Sequence, residues 1–118
     1  MKTKLLTVVL AIVLIAGCSS DPKTMYCHDG NYTKSLYDYL KEEPNYDEQL
    51  EMMQAYFEEA KDQGTLPAPG SYAHMAMVFS KIGNNAEAEH YLYLEKENFP
   101  ESAYYIDFIL NKKNKGDK

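Results

Sequence analysis

"PGSYAHMAMVFSKIGNNAEAEHYLYLEKENFP", residues 69–100, decides the fold. Tyr72, Met75, Ala76 and Phe79 recur at i, i+3, i+4 and i+7, the spacing of a helix with one apolar stripe. Gly83-Asn84-Asn85 then supplies a helix stop and a fresh cap in quick succession. Beyond it Ala88, Tyr91, Leu92 and Phe99 form a second stripe, closed by Pro100. A connection this short forces the second helix back against the first, antiparallel. Pro69 is placed to open the unit, because its missing N–H costs nothing in a first helical turn.

The same period continues on both sides. Upstream, Leu50, Met53, Phe57 and Ala60 share one face between Asp47 and Asp62, with Glu51, Glu58, Glu59 and Lys61 opposite. Asn45 three residues before Glu48 suits a capping box, and Gly64 a stop. Tyr32, Leu36, Tyr39 and Leu40 make a shorter stripe ending before Pro44, since the residue preceding a proline avoids helical geometry. Downstream, Ala103, Ile106, Ile109 and Leu110 fall on one side of a last helix. No sustained period-two alternation occurs. The expected fold is therefore all-α: about five short helices in antiparallel hairpins over residues 32–110. A domain of this size has a stability of about 4–12 kcal/mol. Residues 111–118, with Lys112, Lys113, Lys115 and Lys118, read as a basic, disordered tail.

The N-terminus gives an address. Lys2 and Lys4 precede an apolar stretch from Leu5 to Ala16, too short to span a bilayer core of about 30 Å as a permanent helix, so residues 1–17 read as a signal peptide. Ile15-Ala16-Gly17-Cys18 matches the lipobox of bacterial lipoproteins, which makes Cys18 the lipidation site. The alternative is ordinary secretory cleavage that leaves Cys18 a plain thiol. Each buried methylene contributes about 0.8 kcal/mol, so the two or three acyl chains of a mature lipoprotein, palmitate among them, hold almost permanently. Residues 18–31 are then the lipidated cysteine and its tether. Ser19 and Ser20 follow the cysteine in place of an inner-membrane retention aspartate, which directs the protein to the periplasmic face of the outer membrane.

Without Lys2 and Lys4 the chain has ten basic and eighteen acidic residues, a net charge of −8 that repels polyphosphates and speaks against a nucleic-acid partner. Once Cys18 is acylated, Cys27 is the remaining thiol, so no internal disulfide is available to it. His28 beside it does not make a catalytic dyad, because sequence adjacency supplies no rigid support in a segment expected to be mobile.

Residues 69–100 resemble a tetratricopeptide repeat. Tyr72, Met75, Ala76, Phe79, Gly83, Ala88, Leu92 and Pro100 stand at the repeat's matching places, so Tyr72, Ala76, Phe79, Gly83, Ala88 and Pro100 are implied to be structural. Glu95 departs from the pattern, which usually has a small residue there. A broader resemblance is carried by Ser35-Leu36-Tyr37, Tyr39-Leu40-Lys41, Pro69-Gly70, Tyr72-Ala73, Gly83, Ala88, Glu95-Lys96 and Phe99-Pro100-Glu101-Ser102. These are similar to a family of small bacterial lipoproteins of unknown function with a tetratricopeptide-like domain. Such proteins are often encoded beside a lipoprotein similar to the curli-secretion channel, which the resemblance offers as a partner. Asp29 stands before Gly30 where that family tends to carry tryptophan.

No nucleophile elbow, zinc-binding H-E-x-x-H, P-loop or Rossmann glycine pattern occurs, and no catalytic residue, metal or cofactor is assigned. His74 and His90 read as packing or surface residues, and Glu42-Glu43 and Glu58-Glu59 as solvated faces. Eleven tyrosines exceed what a small core needs. Tyr72, Tyr91 and Tyr105 are expected to fill gaps between helices, whereas Tyr93 and Tyr104 fall off the apolar stripes and are candidates for partner contact. The expected function is that of a tethered adaptor presenting a helical surface to another envelope protein. The alternative is a small ligand-binding or hydrolytic module acting on cell-wall or lipid material.

Overall fold

The computed structural model describes residues 1–3 and 24–116, and over 24–116 the chain forms five α-helices and no strands. They are α1 (Gly30–Tyr39), α2 (Tyr46–Asp62), α3 (Ser71–Lys81), α4 (Asn85–Asn98) and α5 (Ala103–Gly116), with a 3-10 turn at Pro100–Ser102 before α5. Cys18, residues 4–23 and residues 117 and 118 lie outside the described residues. Among the described residues no helix is long and apolar enough to cross a membrane.

Local chemistry accounts for the boundaries. Asp29, Asn45 and Asn84 cap α1, α2 and α4 by accepting from the backbone N–H of Asn31, Glu48 and Glu87. Gly83 ends α3 with φ of 79°, a left-handed conformation that glycine adopts without a Cβ clash. Pro100 opens the 3-10 turn, and α3 begins at Ser71, two residues beyond the proline that marks its start in the sequence. The α3–α4 hairpin packs most extensively, and α2 and α5 flank it on either side.

Two apolar clusters hold the bundle. One joins Cys27, Met53, Tyr56, Ala60 and Met75; the other joins Ala76, Leu92, Ile106 and Leu110. A short clasp fixes the chain before α1. Cys27 N donates to Leu66 O at 2.7 Å, and Leu66 N donates to Met25 O at 3.0 Å. Cys27 is therefore 3% exposed, part of the core instead of a mobile tether, and the ordered domain starts well before residue 32.

Three further expectations change. The inner side of α1 presents Ser35 and Asp38, while Leu36 faces outward and Leu40 is 77% exposed. The polar residues win the seam because each has a partner: His74 bonds Ser35, and Lys34 and Lys41 bracket Asp38. Residues 111–116 continue α5 instead of fraying, since Leu110 is buried and Lys113 Nζ reaches Asn85 O at 3.4 Å. Tyr105 fills no gap between helices; it is 63% exposed.

Glu95 explains its own departure from the repeat pattern. Gly70, at φ 91°, gives α3 no side-chain cap of its own. The buried Glu95 carboxylate of α4 supplies one, accepting from Gly70 N at 2.7 Å and Ala73 N at 3.3 Å. A negative group at a helix N-terminus also meets the positive end of the dipole. Glu95→Ala is expected to cost about 2 kcal/mol, and Glu95→Gln, which keeps an acceptor, about half that. Urea unfolding of both variants checks the order.

Candidate functional site

A hollow of about 320 Å³ lies between α2, α3 and α4 and is lined by Phe57, Ala60, Lys61, Thr65, Tyr72 and Tyr91 among others. Phe57, Tyr72 and Tyr91 of its wall belong to an aromatic ladder. Phe57 and Tyr72 stack at 4.9 Å between centroids, and Phe79 stacks on Tyr91 at 5.5 Å. Burial raises the Tyr72 and Tyr91 hydroxyls above their ordinary range, so both stay protonated hydrogen-bonding groups at neutral pH. Tyr72 and Phe79, structural in the repeat reading, are thus half-buried members of one stack, whereas Ala76 and Ala88 are buried where α3 meets α4.

A second groove of about 180 Å³ runs across the other side of the hairpin. Ala76, Met77 and Ser80 of α3 are joined there by Tyr39 of α1, Ala88 and Leu92 of α4, and Ile109 of α5. Lys81, Glu89 and Lys113 complete the lining. The side chains facing the groove are mostly apolar, and two of the three charges are positive in a chain whose net charge is −6.

Ser35 Oγ and His74 Nε2 lie 2.8 Å apart, the contact expected of a nucleophile and its base. Ser35 is fully buried, and neither residue lines the hollow or the groove. Burial lowers the His74 imidazole to a pKa of about 4, which leaves a weak base at neutral pH. The pair therefore ties α1 to α3, with Tyr39 edge-on to the imidazole at 5.6 Å. His90 stands exposed on α4. Among the described residues no three of His, Cys, Asp and Glu gather closely enough to hold a metal ion.

Tyr93 and Tyr104 are both exposed, at 51% and 89%, on α4 and α5 respectively. Lys96 of α4 pairs with Asp107 of α5 at 2.6 Å, which fixes the antiparallel register. Each tyrosine lies three residues before its member of that pair. Tyr104 instead belongs with Tyr105 and Phe108, 63% and 58% exposed, on the outer face of α5. Periodicity readily marks a buried stripe, but it does not reveal that the opposite face carries adjoining aromatics.

An all-helical domain of antiparallel hairpins, with an apolar groove across its central pair, defines the class. The chain belongs to the DUF4810 family, described as a domain of unknown function, whose profile matches residues 25–109. No curated protein and no solved structure matches the chain.

Proposed function

We propose that this chain is a lipid-anchored adaptor of the bacterial envelope, acylated at Cys18, held on the periplasmic face of the outer membrane, and docking a segment of another envelope protein. The observation that carries the adaptor reading is the groove between α1, α3, α4 and α5: an apolar lining from four helices with Lys81 and Lys113 at its margin. Such a groove takes the apolar face of an amphipathic segment, and its lysines favour an acidic one. A lipoprotein similar to the curli-secretion channel is the candidate partner. The lipobox Ile15-Ala16-Gly17-Cys18 supports the address, and two or three acyl chains make the attachment durable.

The test is photo-crosslinking in cells from the anchored chain. A photoreactive residue at Met77, in the groove, should yield a protein adduct, and one at Glu58, on an exposed part of α2, should not. Lys81→Glu combined with Lys113→Glu should lower the Met77 adduct several-fold, because like charges at an interface disfavour the acidic partner. No adduct at Met77, or one indifferent to charge reversal, overturns the adaptor reading.

A further inference from the structure

The outer face of α5 has a composition unlike the rest of the molecule. At 100° per residue Tyr104, Tyr105, Phe108, Asn111, Lys112 and Lys115 fall within an arc of about 120°. All six are exposed, and Phe108, Asn111, Lys112 and Lys115 line one shallow depression. The opposite side of the helix carries Ile106 and Leu110 into the core. Lys113 points away from this face, toward α4. From Ala103 to Gly116 the helix has three lysines against a single acidic residue, Asp107, which Lys96 neutralises. An aromatic and cationic face thus stands on a chain of net charge −6.

We infer that this face is a membrane-contact surface that lies on an anionic phospholipid bilayer. Tyrosine and phenylalanine rings settle at the level of the headgroups, and neighbouring lysines are drawn to a negative surface. A helix with one such face and a core-facing opposite side lies in the interface without crossing it. The chain's own path supplies the second argument. Tyr26 packs on Phe99 at 6.2 Å between ring centroids, so the N-terminal segment enters the domain beside the turn that starts α5. The eight-residue span from Cys18 to Tyr26 reaches at most about 28 Å. An acylated Cys18 therefore keeps the aromatic end of α5 close to the bilayer; this step rests on the anchored reading, whereas the composition of the face does not. A lipid anchor and a basic interfacial face together give the two signals that stable peripheral attachment uses.

The chain has no tryptophan, so one introduced indole reports on one place. The Phe108→Trp chain, acylated and reconstituted with vesicles of phosphatidylglycerol and phosphatidylcholine, should show blue-shifted emission that brominated lipid quenches. A Glu58→Trp chain, labelled on the exposed side of α2, should show neither. On a Cys18→Ser background, Lys112→Gln with Lys115→Gln should lower partitioning to the anionic vesicles by about 25-fold, each lysine being worth roughly fivefold. Unchanged Phe108→Trp emission in the vesicle-bound chain overturns the inference, as does an equal response from Glu58→Trp. A shift produced by detergent-solubilised envelope protein and not by vesicles also overturns it, assigning the face to a protein. Equal flotation of the parent and Cys18→Ser chains would sink the anchored reading alone, with the lipid-dependent shift still supporting the face.

Discussion

Tyr56→Ala is expected to remove most of the domain's stability, about 3–5 kcal/mol from a total of about 4–12. Tyr56 is fully buried and packs its ring against Tyr32 at 5.4 Å and Phe57 at 5.6 Å between centroids. Its hydroxyl donates to Cys27 O at 3.3 Å and accepts from Ala68 N at 2.7 Å. One side chain thus fills the middle of α2 and bonds both segments of the clasp that holds residues 25–27 against residues 66–68. Truncation leaves a cavity and also strands a backbone N–H. Tyr56→Phe keeps the ring and loses only the hydrogen bonds, for about 1–2 kcal/mol. The check is urea unfolding of both variants, with amide exchange at Cys27 and Leu66 reporting the clasp. Equal midpoints for the two would mean that the ring contributes no packing, contrary to its burial.

The reach and limit of the sequence can be traced residue by residue. Met53, Ala60, Met75, Ala76, Leu92, Ile106 and Leu110 are legible as core because an apolar residue on a 3.6-residue period has few other places to go. Gly83 and Asn84 are legible because a left-handed turn and an N-cap each demand a small set of residues. Tyr56 escapes because its neighbour Phe57 competes for the same stripe, and the helix settles between them, rotated to bury Gln49, Met53 and Tyr56. Ser35, Asp38, His74 and Glu95 escape for a different reason. A polar residue reads as solvent-facing until its partner is known, and the partners lie at Lys34, Lys41, Gly70 and Ala73 or in the Ser35–His74 contact itself. The groove is legible only in part. Ala76, Ala88, Leu92 and Ile109 each belong to a stripe, but where α1 and α5 sit along α3 depends on long-range packing that spacing does not encode.

The second large effect is one of pH. His74 is almost completely buried, and burial holds its imidazole at a pKa of about 4 against 6.5 when solvated. The unfolded chain therefore binds a proton between these values that the folded chain refuses. Stability is fully present above pH 6.5, falls as pH drops through the window, and reaches its full loss below pH 4. Between pH 7 and pH 4.5 the loss is about 2–3 kcal/mol, at 1.36 kcal/mol per unit of displacement. Of the rings packed on it, burial holds the Tyr32 hydroxyl above its ordinary range, so Tyr32 stays neutral throughout. Asp38, held below the ordinary carboxylate range by hydrogen bonds from Lys41 and Lys34, contributes stability that is lost only at still lower pH. His74→Gln removes the titrating group and keeps a polar side chain facing Ser35. The variant is expected to be less stable at pH 7, because the imidazole's packing is lost, yet to lose much less than the parent on going to pH 4.5. Urea unfolding at both pH values measures the difference of differences, in which carboxylates common to both chains cancel. Parallel losses in the two chains would mean that His74 charges in the folded state at little cost, and that the polar seam between α1 and α3 admits a proton without opening.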